Sequence, residues 1–346
     1  MSLNESIDMK WRSWGLRLAL WALIVAILWW ALRGVPILDI ADTLGRLGTA
    51  QLSVILVVNL MVVAVFTGRW WVILRAQGEP VSFPALVAYR LAGFGISYFT
   101  PGTQFGGEPL QASLVHRRQS VSVPAAAASV ALDRAIDLLG NATFLMFGVV
   151  VSLRLRLIPA SAEVGLTVLA AGLLAVPLVF LAAARLGVMP ATEVLRRLPE
   201  RVVAWSGFAR FKRSVESTET QIVDFCSRRP RELALAMGFS LASWLAILAE
   251  LALMLRFLDL RLTPLETIGV LTASRLAFLV PVPGGLGALE ASQILAMTAL
   301  GHSRAEGLSL GLLIRARDLA FGGAGLILGW WLARARVRSG RPGRSA

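Results

Sequence analysis

Val280–Ser292 reads VPVPGGLGALEAS, which places two prolines, three glycines and a carboxylate, Glu290, inside an otherwise apolar run. Proline removes a backbone donor and glycine relaxes the backbone, so no continuous helix is expected through 281–287. The surroundings make this break unusual. The 346-residue chain is 56% apolar and 16% charged, with a mean hydropathy of +0.70, too apolar for a soluble protein of this length. Several apolar runs approach the roughly 20 residues that cross a bilayer. Irregular backbone at membrane depth must be buried in protein or line a cavity, and a carboxylate there marks a functional site by default.

A second copy lies upstream. PGTQFGGEPLQAS begins at Pro101 and sets Glu108 seven residues on, as Glu290 lies seven after Pro283. Leu74-Arg75 followed by Pro84 matches Leu255-Arg256 followed by Pro264, and Arg134-Ala-Ile-Asp137 matches Arg315-Ala-Arg-Asp318. The landmarks keep an offset within one residue of 181 (Arg134 to Arg315), which points to a duplicated unit.

The expected architecture is an all-α polytopic membrane protein with six full spans, 14–32, 52–74, 123–153, 164–186, 233–255 and 306–332. Two broken hairpins, 84–118 and 264–300, are read as re-entrant. Residues 1–13 form a cytoplasmic segment, 14–335 a single membrane domain and 336–346 a basic cytoplasmic tail. Repeat 1 covers about 52–153 and repeat 2 about 233–332. They are joined by 154–232, which holds a span and a basic segment where Phe208, Phe211, Val215, Ile222 and Phe225 recur at helical spacing. Either a helix on the membrane surface or a solvated linker helix fits that pattern. Three full spans separate the breaks, an odd number, so the second unit is expected to be inverted and the two breaks to meet near the midplane. Lys/Arg bias puts both termini and the 187–230 loop in the cytoplasm, with a bacterial inner membrane as the expected location.

The net charge of +13 is explained by span ends and this loop meeting anionic headgroups, without nucleic acid. Cys226 is the single cysteine, and His116 and His302 stand apart, so neither a disulfide framework nor a metal site is expected. The glycine-rich stretches lack the lysine of a P-loop, and no G-x-S-x-G occurs. No catalytic residues and no cofactor are assigned.

Ionisable residues inside a membrane should face the bundle interior and pair. Arg134 with Asp137 and Arg315 with Asp318 are three apart on a helix and share a face. Asp133, Asp137, Arg317 and Asp318 are read as structural clamps. Arg90, Arg275, Arg134 and Arg315 suit a phosphate, helped by backbone amides at Gly106, Gly107, Gly284, Gly285 and Gly287. Glu108 and Glu290 are read as sites for a cationic group or a proton, with capping of the second half-helix as the plainer role. The glycines at 322, 323 and 325 suit close helix packing.

PGTQFGGE, PVPGGLGALEAS and the Arg-x-x-Asp that follows each one resemble the flippase-like membrane region of lysylphosphatidylglycerol synthases, across about residues 15–335. The resemblance implies lipid translocation between leaflets by a stand-alone member without the aminoacyl-transferase domain, hence no enzyme activity. In the first copy, Gln104 and Phe105 replace the tighter glycine-rich turn. The cargo stays open among phospholipid, aminoacylated lipid, glycolipid and hopanoid-type lipid. The rival readings are a secondary transporter of a small solute or ion, an integral-membrane lipid-modifying enzyme using the two glutamates, and a non-catalytic accessory protein of lipid synthesis. Self-association and contact with lipid-synthesis enzymes are partners left open.

Overall fold

The computed structural model describes residues 47–100, 106–157, 160–197, 208–280 and 282–334, with a few isolated positions before Leu47. The expected first span at 14–32, the loop 101–105 with Gln104 and Phe105, and the C-terminal tail lie outside the described residues. Eleven α-helices and one 3-10 turn make up the described fold.

A long helix, α1 (Thr49–Ala76), leads into the broken pair α2 (Phe83–Phe99) and α3 (Glu108–Gln119), then into α4 (Val123–Arg154). Helix α5 (Ala160–Arg185), the short α6 (Pro190–Arg196) and α7 (Phe208–Arg228) form the connection. The pattern then recurs as α8 (Pro230–Phe257), α9 (Pro264–Ala277), the 3-10 turn Pro283–Gly285, α10 (Ala288–Ala299) and α11 (Arg304–Arg334). Helix bounds follow the offset of the sequence landmarks: Thr49 to Pro230 and Ala76 to Phe257 are both 181 residues.

Local chemistry explains the starts. Proline sits at N1 or N2 of α2, α4, α8 and α9, where its missing N–H costs nothing. The Ser122 hydroxyl accepts from Ala125 N at 3.3 Å to cap α4. Thr263 with Glu266, and Ser303 with Glu306, close reciprocal capping boxes on α9 and α11.

The two four-helix units interlock rather than stand side by side. Helices α1 and α8, equivalent in the two units, pack on each other, and α2 packs on α11 as α9 packs on α4. The α2–α11 crossing is close because both surfaces carry glycine. A Cβ on Gly95 would lie 2.6 Å from Leu326 N, and one on Gly325 would collide with the Leu91 carbonyl oxygen. Gly322 meets Tyr98 and Phe99, whereas Gly323 faces open space. Two of the three glycines expected to mediate packing therefore do so.

Among the described residues, four helices (α1, α4, α5 and α8) are long and apolar enough to cross a membrane. Helix α11 has the length, at 31 residues, but carries Arg315, Arg317 and Asp318 midway. Outward faces are apolar: Val57 and Met61 on α1, Val168 and Val179 on α5, Leu241 and Leu245 on α8, and Ile327 and Trp331 on α11 are all exposed. Lipid is the solvent that suits such a surface.

Helix α7 shows what buries much of the apolar stripe in the basic connector. Phe208, Ile222 and Phe225 are buried, and Ile222 and Phe225 join a core cluster with Ile73, Leu132 and Ile136, while Phe211 is half exposed. The buried part of its apolar stripe therefore docks on α4 and neighbouring helices. Periodicity shows that a face must be buried, not what buries it.

Candidate functional site

Helix α4 carries an acidic stripe, and each carboxylate on it finds an arginine. Asp133 accepts from Arg69 Nε at 2.8 Å and from Arg90 at 2.8 Å. Asp137 accepts from Arg69 at 3.2 Å and from Arg134 at 3.0 Å. Arg134 lies 3.4 Å from Glu108, whose other oxygen accepts from Gly106 N at 2.8 Å at the start of α3. Three arginines thus balance three carboxylates by direct contact, tying α1, α2, α3 and α4 together.

Repeat 2 keeps part of the plan and reverses the charge at one position. Glu250 on α8 stands 181 residues after Arg69 on α1, so the cation of one clamp is the anion of the other. Glu250 accepts from Arg317, which also grips Asp318 at 2.8 Å. Arg315, equivalent to Arg134, pairs with Glu290 through two contacts and donates to the carbonyls of Gly284 at 2.9 Å and Gly285 at 3.1 Å. Its side chain is 1% exposed. Glu290 also accepts from Gly287 N at 3.0 Å, the capping role. Left-handed backbone at Gly284, Gly285 and Gly287 lets the turn wrap onto Arg315.

Between the repeats lies a cavity of about 510 Å³. Its charged lining is Arg90, Glu108, Asp133, Arg134 and Asp137 from repeat 1, and Glu250, Arg275, Arg317 and Asp318 from repeat 2. Phe66, Phe94, Trp244 and Phe278 supply apolar wall, and Leu173, Val176 and Pro177 of α5 close one side. Arg275 lies over the Trp244 ring at 5.0 Å and makes no ion pair among the described residues.

Of the residues read as substrate-binding, Arg90, Glu108, Arg134 and Arg275 line one chamber, together with the expected clamps Asp133, Asp137, Arg317 and Asp318. Glu290, Arg315, Gly284, Gly285 and Gly287 do not line it; they form the closed knot at the second break. Gly106 N and Gly107 N are likewise committed, to Glu108 and to Ser97 Oγ at 2.9 Å, instead of facing an anion. The spacing of Arg315 and Asp318 suggested a pair, yet Arg315 turns to Glu290 and leaves Asp318 to Arg317. A carboxylate plus two carbonyls outweighs one neighbour on the same helix. Sequence reasoning missed Arg69 and Glu250 as members of the network. The available signal was their opposite charge at equivalent positions of the duplicated unit. Among the described residues no group of three His, Cys, Asp or Glu side chains converges to hold a metal ion.

Fold and site together define a polytopic helical membrane protein with a charged chamber between duplicated units. The chain belongs to the lysylphosphatidylglycerol synthase membrane-region family, whose model matches residues 15–325. It is 24% identical to a UPF0104 membrane protein of Pyrococcus horikoshii, over 85% of this chain and 89% of that one. A UPF0104 membrane protein of Methanothermobacter thermautotrophicus is 30% identical over 99 residues, 29% of each chain.

Proposed function

We propose that this protein moves a lipid with a polar headgroup between leaflets, without catalysing a covalent reaction. The observation that carries the reading is the 510 Å³ chamber, lined by charges from both repeats and bounded on one side by α5. Helix α5 exposes Val168, Val176 and Val179, so the chamber wall is also a lipid-facing helix. A headgroup would cross through the chamber while its acyl chains stay in the bilayer. Full helices α4, α5 and α8 separate the broken segments, an odd number that favours inverted repeats, each break forming a re-entrant hairpin. Rocking of one unit against the other around the chamber would then alternate access. Membership of a family named for a lipid synthase supports a lipid as cargo.

The test is exchange of acyl-labelled phospholipids between leaflets of proteoliposomes, read by dithionite quenching. Glu108→Gln, which alters the chamber wall, should reduce exchange while the protein stays folded. Absence of exchange for every anionic, zwitterionic and glycosylated lipid tried would reject the lipid reading in favour of a small-solute transporter or an accessory protein.

A further inference from the structure

The chamber charges are not distributed evenly. On the repeat 1 side Arg69, Arg90 and Arg134 are matched in direct contact by Asp133, Asp137 and Glu108, so that wall is neutral by ion pairing, although Arg69 Nη1 and Arg90 Nε are buried without a hydrogen-bond partner. On the repeat 2 side one cation, Arg317, serves two carboxylates, Glu250 and Asp318. That leaves one surplus negative charge. Arg275, on the facing half-helix α9, is a positive charge with no carboxylate within ion-pair distance among the described residues. Its Nε is buried without a hydrogen-bond partner, and the guanidinium rests on Trp244. Arg275 is nonetheless within electrostatic reach of Arg317, Asp318 and Glu250, and of Asp137 across the chamber. Across this side the protein therefore holds a separated plus and minus that sum to zero, both in the wall of one chamber.

A buried donor left unpaired is costly, and a charge at membrane depth more so. Separated poles of this kind are best completed by a ligand carrying the opposite poles. We infer that the chamber selects a zwitterionic phospholipid headgroup, with its phosphate on Arg275 and its ammonium against Glu250 and Asp318. The planar guanidinium offers paired donors to phosphate oxygens, and stacking on Trp244 fixes its plane. A net-anionic headgroup would satisfy Arg275 but leave the carboxylate surplus uncompensated, one unbalanced negative charge in the chamber. This inference rests on the lipid reading above and sharpens it to a substrate class.

The experiment compares acyl-labelled phosphatidylethanolamine with acyl-labelled phosphatidylglycerol in the same proteoliposomes, for wild type, Arg275→Gln, Arg275→Lys and Asp318→Asn. Wild type should exchange phosphatidylethanolamine faster by about tenfold or more, the scale of one uncompensated charge in a membrane interior. Arg275→Gln should slow it about tenfold, and Arg275→Lys should restore part of the rate by keeping the charge. Asp318→Asn removes the surplus carboxylate, so the preference should shift towards phosphatidylglycerol. If Asp318→Asn does not purify as a folded protein, Glu250→Gln makes the same change of charge. Thermal stabilisation of the detergent-purified protein by glycerophosphoethanolamine, against inorganic phosphate alone, separates the two levels of the argument. Stabilisation that needs Arg275, without any lipid exchange, would overturn the lipid reading and keep the dipolar site. Equal exchange of both lipids, with a ratio unmoved by Arg275→Gln and Asp318→Asn, would overturn the inference and leave lipid transport standing.

Discussion

Arg134 and Arg315 occupy equivalent positions of the two repeats, yet the structure predicts very different costs for losing them. Arg315 is almost fully enclosed and holds Glu290, two backbone carbonyls and, at 3.4 Å, the Tyr98 hydroxyl. Replacing it by Gln leaves a carboxylate that is 13% exposed without its cation and frees the turn at Gly284–Gly285. Breaking a buried ion pair by removing one partner costs about 3–5 kcal/mol. Arg134 is 26% exposed and 3.4 Å from Glu108, and Asp137 keeps Arg69 when Arg134 is lost. For so open a pair the screened value of about 1 kcal/mol applies. At roughly 2 °C per kcal/mol for a chain of this size, Arg315→Gln should lower the Tm by about 6–10 °C and Arg134→Gln by about 2 °C. Thermal unfolding of detergent-purified variants, followed by tryptophan fluorescence, measures both. The double variant Glu290→Gln/Arg315→Gln should lose less than the sum of the singles, by about 2 kcal/mol. Equal drops for Arg134→Gln and Arg315→Gln, or an additive double variant, would refute the view that the second break is a structural knot.

Two further expectations follow from packing. Gly325→Ala forces the α2–α11 crossing apart and should cost about 1–3 kcal/mol, while Gly323→Ala, which points into open space, should be neutral in the same unfolding assay. On α7, Phe225→Ala should cost about 3–5 kcal/mol and Phe211→Ala much less, because only the first is buried. The adjacent Cys226 thiol is buried, and burial pushes its pKa up to about 11. The reactive thiolate therefore stays scarce until the pH rises through that value. Maleimide labelling should be slow at neutral pH in the folded protein and quicken in Phe225→Ala; prompt labelling of folded wild type would contradict the docked position of α7.

What the sequence by itself determined was everything governed by local backbone chemistry and by depth in the membrane. Proline, glycine and capping residues set the helix ends, so spans expected at 52–74, 123–153 and 233–255 appear as α1, α4 and α8 with ends shifted by a few residues. The 181-residue offset exposed the duplication, because a repeated fold needs the same breakers at the same places. Charges within apolar runs likewise had to turn inward, and those from both repeats meet in one chamber. Pairing was a different matter. Whether Arg315 reaches Asp318 on its own helix or Glu290 across the break depends on how α10 lies against α11, which spacing along one helix does not encode. The partnership of Arg69 with Asp133 and Asp137, across more than sixty residues, has the same origin. So does the contrast between Glu108, on the chamber wall, and Glu290, sealed in a knot. The two share a local motif, and only the packing of the third dimension assigned one to the cavity and the other to the scaffold.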